Sequence, residues 1–127
     1  MGICLGMQLL AERGYEVRKC NGLGYIEGEI VRFMPSEMNE RIPHVGWNNI
    51  EKNLEIPLLD GIPDNTNFYF VHSYYFKALR EENIAAVTPY CGEFPSIVVK
   101  DNIVGTQFHP EKSQKAGFKV IKNFLRM

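Results

Sequence analysis

The chain has 127 residues with 14 basic and 15 acidic side chains, a net charge of −1. This length suits one domain with a modest core, and the balanced charge leaves no footprint for nucleic acid. No apolar stretch reaches bilayer-spanning length, so a membrane partner is not expected. Three cysteines (Cys4, Cys20, Cys91) without a C-x-x-C pair argue against a disulfide framework or zinc knuckle and suit a reducing cytoplasm.

In chain order, the apolar start at residues 1–11 lacks a charged leading segment and carries Gly2, Gly6 and Gln8, so it does not read as a leader peptide. Residues 2–6 read as a turn. Met7, Leu9, Leu10 and Ala11 then predict a helix that opens just after Cys4 and ends before Gly14. The alternation in residues 23–33 predicts a strand, as do the runs at 45–50 and 68–75. Residues 51–67, with Pro57, Gly61 and Pro63, read as loop. Short β runs at 85–90 and 96–100, the Lys100-Asp101-Asn102 turn and residues 103–108 predict a hairpin that delivers His109 at its far end. Residues 114–127 predict a helix with Phe118, Ile121 and Leu125 on one face and a basic stripe of Lys115, Lys119, Lys122 and Arg126 on another, a solvated face.

Gly2-Ile3-Cys4-Leu5-Gly6 has the G-x-nucleophile-x-G form of an elbow, a tight strand-to-helix turn in which flanking glycines let neighbouring backbone pass close to the nucleophile. A helix N-terminus favours thiolate over thiol at Cys4, and the Leu5 N–H is a candidate oxyanion donor. The competing reading makes Cys4 a small buried hydrophobe in a glycine turn. Cys20 and Cys91 have no comparable setting and read as structural.

Phe108-His109-Pro110-Glu111 offers a base and a carboxylate two residues apart. The residue before a proline is biased to extended backbone, and in an extended segment residues two apart share a face, so Glu111 is expected beside His109, fixing its tautomer. A surface ion pair, a zinc-deaminase H-x-E and another metal site compete with this. No P-C-x-x-C follows, and His44 and His72 lie in separate strands, which leaves a metal short of ligands and the ion pair as the remaining alternative.

Taken together, GICLGMQLL at residues 2–10 and GTQFHPEKSQKAGFKVIKNFL at 105–125 resemble the two signature blocks of class I glutamine amidotransferases. Between them, PHVGWNNIE at 43–51 and NFYFVHSYY at 67–75 resemble more specifically the glutaminase subunits of imidazole glycerol phosphate synthase. The resemblance implies that Cys4 attacks glutamine to form a thioester, with His109 moving protons and Glu111 supporting it. It implies substrate contacts at Gln8, Ser73 and Tyr74. It also implies a (β/α)₈-barrel synthase subunit that receives the ammonia, with Tyr69, Lys112 and Trp47 near that interface; Trp47 fits a core aromatic equally well. No cofactor or metal is implied.

The fold implied is a flavodoxin-like, doubly wound α/β domain occupying residues 1–127 from the nucleophile elbow onward. The chain opens almost on that elbow, so it is expected to lack the family's N-terminal strands and helices and the glycine-containing loop that supplies a second oxyanion donor. From this follows an expectation of low glutaminase activity for the isolated chain, since one lost oxyanion donor costs about 10²–10³ in rate. Paralogues that amidate nucleotide sugars or surface polysaccharides, and a non-catalytic partner-binding remnant, are the alternative functions. A papain-type peptidase is more distant, since it wants Asn as the third residue.

Overall fold

Strand-forming residues dominate the chain, and in the computed structural model, which describes residues 1–127, they build eleven strands and leave room for only two α-helices. In order these are β1 (Gly2–Ile3), α1 (Leu5–Gln8), β2 (Arg13–Gly14), β3 (Cys20–Asn21), β4 (Gly28–Arg32), β5 (His44–Asn49) and β6 (Glu51–Lys52). Then come β7 (Asn67–His72), β8 (Tyr74–Ala78), β9 (Ile84–Pro89), β10 (Glu93–Lys100), β11 (Ile103–Thr106) and α2 (Gln114–Phe124). No helix is long and apolar enough to cross a membrane.

The strands form a five-stranded sheet ordered β1-β11-β10-β9-β6, a four-stranded sheet β3-β2-β4-β8, and the two-stranded ribbon β5-β7. β1 runs parallel to β11 and β2 parallel to β4, while the other neighbours are antiparallel. Successive residues of a strand point to opposite faces, and β10 uses both. Ile97 joins a core containing Phe68, Phe70, Phe94, Phe108 and Val120, whereas Val98 joins a second core around Met7, Ile30 and Phe76. The elbow and the histidine strand end therefore share one sheet, packed on two sides.

Several boundaries differ from the sequence expectation. The first helix is a single turn, because Leu10, Ala11, Gly24 and Ile26 are engaged in backbone hydrogen bonds between residues 9–11 and 23–26 rather than in further helical turns. Only Gly28–Arg32 of the run at 23–33 is strand, and the run at 68–75 breaks at Ser73 into β7 and β8, which belong to different sheets.

The α2 face that meets the core is also not the stripe of large apolar residues. Phe118 is 65% and Leu125 77% exposed, while Gly117, Val120 and Asn123 are buried. Gly117 decides this orientation: a Cβ there would lie 1.8 Å from the Pro110 carbonyl oxygen, so only glycine lets the helix approach. On the same side the Asn123 amide donates to the Leu58 and Asp60 carbonyls at 2.9 and 2.8 Å. This satisfies carbonyls that burial would otherwise leave orphaned.

Candidate functional site

Cys4 adopts φ 50 and ψ −106, a region that non-glycine residues rarely occupy and that costs about 1–3 kcal/mol. The fold holds it there from both sides. Its N–H donates to the Thr106 carbonyl at 2.8 Å, extending the β1–β11 register, and its carbonyl accepts from the Gln8 N–H at 3.1 Å, opening α1. A Cβ on Gly2 would meet the Gly6 carbonyl oxygen at 2.5 Å, so this turn requires glycine at residue 2. Gly6 faces open space, so the expectation of a steric need for glycine at both flanks holds on one side only.

The Cys4 sulfur lies between the Val71 carbonyl, 3.9 Å away, and Gln107 Nε2, 3.7 Å away. Burial raises its pKa above the usual thiol value, against the lowering effect of hydrogen bonds from the Leu5 backbone and the Gln107 amide. The resting side chain is therefore a thiol. The expected helix-dipole activation is outweighed, because α1 has only four residues and few aligned peptides to offer. Glu111 and Lys112 are close enough for their charges to act on this thiol, Glu111 raising and Lys112 lowering its pKa.

His109 follows β11 in extended conformation, and its N–H donates to the Tyr69 carbonyl at 3.0 Å. Its Nδ1 lies 2.6 Å from Glu111 Oε1. A carboxylate accepts, so the proton sits on Nδ1 and Nε2 keeps its lone pair. The pairing is the one the motif predicts, but the chain reaches it by a different route. Pro110–Lys112 form a 3₁₀ turn rather than extended chain, and that turn swings Glu111 back to the ring. Ser113 clips the segment in place, its Oγ donating to the His109 carbonyl at 2.6 Å and accepting from the Tyr69 N–H at 3.0 Å.

Gln8 turns inward from α1. Its Nε2 donates to the Tyr74 carbonyl at 3.1 Å and to Gln107 Oε1 at 3.2 Å. Tyr74 thus meets the Cys4 neighbourhood through its backbone, while Ser73 sits at the β7–β8 break with its carbonyl accepting from the Phe33 N–H. Leu5 is exposed and, with Gln8, lines a surface cleft of about 340 Å³. The largest groove, about 1110 Å³, lies between Glu55–Asp60 and Asn123–Met127 and shares no residue with this region. Trp47, half exposed, stands opposite Tyr69 across the β5–β7 ribbon with ring centroids 6.1 Å apart, which rules out the core-aromatic role. Lys112 is exposed in the turn after His109.

Two features are not foreshadowed by the motifs. Gln107 is fully buried against Cys4; its place two residues before His109 at the end of a strand was the available signal. His44 and His72, expected to be remote because they belong to separate strands, are directly opposed in the β5–β7 register and hydrogen bonded at 3.0 Å.

The family model described as glutamine amidotransferase class-I matches residues 1–127. The chain belongs to this family. Within it, the chain is 50% identical over 127 residues to imidazole glycerol phosphate synthase subunit HisH 1 of Campylobacter jejuni (strain RM1221), covering 100% of this chain and 62% of that relative. It is 48% identical over 129 residues to subunit HisH of Brucella abortus (strain 2308), covering 99% and 60%, and 47% identical over 127 residues to subunit HisH of Methanocaldococcus jannaschii, covering 100% and 63%. The chain thus spans about three fifths of the length of these relatives.

Solved structures show the same fold. A putative GMP synthase protein from Thermoplasma acidophilum superposes with a TM-score of 0.70 at 20% identity, covering 98% of this chain and 54% of that one. A glutamine amidotransferase from Thermotoga maritima gives 0.64 at 21%, covering 98% and 46%. The mixed α/β arrangement is therefore that of the class-I amidotransferases.

Proposed function

We propose that residues 1–127 form an amidotransferase unit that hydrolyses glutamine and supplies ammonia to a (β/α)₈-barrel synthase subunit of the imidazole glycerol phosphate synthase type. The observation that carries this reading is the 2.6 Å His109–Glu111 pair, presented from the same sheet that holds the strained Cys4 elbow.

In this reading the Cys4 sulfur attacks the side-chain amide carbon of glutamine as the thiol proton passes to His109 Nε2, which the Nδ1–Glu111 contact leaves as an acceptor. The thiol that burial favours at rest is thus the proper starting state, since its proton is needed by the leaving amine. His109 returns that proton to nitrogen, the carbon–nitrogen bond breaks, and ammonia departs, leaving a γ-glutamyl thioester. Water then attacks the thioester carbon, giving its proton to His109 and releasing glutamate as the sulfur is reprotonated. The Leu5 N–H, already directed at the sulfur, is the oxyanion donor available next to the nucleophile. Gln8, Ser73 and Tyr74 border Cys4 as substrate contacts, and the exposed Trp47–Tyr69 pair with Lys112 forms the face offered to the barrel.

An electrophilic glutamine analogue tests this directly. Covalent labelling confined to Cys4 and abolished by Cys4→Ser is the expected result; labelling at Cys20 or Cys91 instead overturns it.

A further inference from the structure

His44 and His72 sit inside a cluster of aromatic rings, only 4% and 6% exposed, with the His44 ring stacked on Tyr90 at 4.0 Å and on Phe70 at 5.0 Å. Two buried imidazoles in contact are costly unless every ring nitrogen finds a complementary partner. Here each one does, and one peptide carbonyl decides the whole arrangement. His72 Nδ1 lies 2.7 Å from the Tyr74 carbonyl oxygen, which only accepts, so Nδ1 bears the proton. His72 Nε2 is then an acceptor, so the facing His44 Nδ1, 3.0 Å away, must donate. His44 Nε2 is left as an acceptor for Asn48 Nδ2 at 3.3 Å. Burial lowers both pKa values to about 4, so both rings stay neutral near pH 7 and a single tautomer pair persists.

The Tyr74 carbonyl that ends this chain also accepts from Gln8 Nε2, and Gln8 in turn holds Gln107, whose amide faces the Cys4 sulfur. We propose that His44 and His72 are positioning residues whose one permitted tautomer pair ties the Asn48 amide on β5 to the Tyr74 carbonyl, and through Gln8 and Gln107 sets the polar environment of the Cys4 sulfur. The relay is a statement about hydrogen-bond polarity; its importance for turnover rests on the proposed role of Cys4 as nucleophile.

Nitrogen-15 spectra of the histidines, assigned by single substitutions, read the tautomers, and iodoacetamide alkylation of Cys4, followed by peptide mass spectrometry, reads the sulfur. In the native chain both His44 and His72 should carry the proton on Nδ1. Asn48→Asp replaces the donor with a carboxylate that only accepts, so His44 should move its proton to Nε2 and His72 should follow. Cys4 alkylation should then slow roughly three- to tenfold, the weight of one hydrogen bond. His44→Phe, which keeps the ring but loses its nitrogens, should slow alkylation similarly, whereas His44→Gln, which can both donate and accept, should restore most of the rate. Asn48 is only part-buried, so Asn48→Asp reports even where a core substitution fails to fold.

A native His72 protonated on Nε2 overturns the relay. So does a reversed tautomer pair in Asn48→Asp with unchanged Cys4 alkylation, or a His44→Gln chain that folds yet alkylates as slowly as His44→Phe. Iodoacetamide requires no glutamine chemistry, so these outcomes are independent of the analogue labelling that tests the proposed function.

Discussion

Gln107 Nε2 lies 3.7 Å from the Cys4 sulfur while its Oε1 accepts from Gln8, so a fully buried amide joins the elbow to its first helical turn. This hydrogen bond and the Leu5 backbone oppose the rise in thiol pKa that burial imposes. Gln107→Leu, of similar size, should therefore raise the Cys4 pKa further and slow its alkylation by about three- to tenfold at fixed pH. The rate of iodoacetamide reaction with Cys4, followed from roughly pH 7 to roughly pH 10, reads the shift directly; an unchanged profile would show that the amide does not act on the sulfur.

Glu111 holds the His109 proton on Nδ1. Glu111→Gln keeps the shape but offers a neutral acceptor and can also present its amide to the ring, which favours the wrong tautomer. Analogue labelling at saturation should fall roughly 10²-fold, with the half-saturating concentration little changed, since a general base acts on the bond-forming step more than on binding. A loss confined to affinity would move Glu111 into substrate binding.

Gly117→Ala should be among the most damaging single changes. Its Cβ would lie 1.8 Å from the Pro110 oxygen, so either α2 or the turn carrying Glu111 and Lys112 must shift. A loss of roughly 2–4 kcal/mol is expected, since backbone on both sides leaves little room to repack. Thermal unfolding followed by circular dichroism checks this, and Phe118→Ala, on the exposed face, is the control that should change little.

The buried histidines make stability depend on pH. In the unfolded chain they titrate near 6.5, and in the folded chain near 4. Between those values the unfolded chain binds more protons. Stability is thus complete above pH 6.5 and is lost progressively as pH falls toward 4. The melting temperature should decline between about pH 7 and about pH 4.5, and replacing both histidines by phenylalanine should flatten the slope.

Glu40 defines a second, separate window. Its carboxylate accepts from the Ser36 and Glu37 backbone, the Ser36 hydroxyl and the Cys91 N–H. Desolvation pushes its pKa up, but these hydrogen bonds together outweigh it and hold the value down at about 2, from an ordinary 4.5. Its contribution is present above pH 4.5 and fades toward 2. Glu40→Gln should loosen residues 36–40, seen as faster amide exchange there, and leave the histidine window unaltered.

Much of the site was legible before the fold because it is written in short segments. The elbow motif names its nucleophile and its turn together, and H-P-E places base and carboxylate in one stretch. Strand positions at 45–50 and 85–90 were also close, since alternation reports a half-buried pleat locally. The α2 orientation was not legible, because the large apolar stripe and the glycine face compete and Gly117 against Pro110 wins on close approach.

The sequence by itself determined the chemical types at the site, their order and the family to which the chain belongs, because each motif is held within a few bonded residues. Only the tertiary structure decided that His44 faces His72 across 28 residues, that Gln107 reaches Cys4 across 103, and that the Cys4 thiol pKa is raised rather than lowered. Those outcomes depend on strand register and burial, which arise from the packing of segments remote in the chain and leave no mark on the spacing of any one of them.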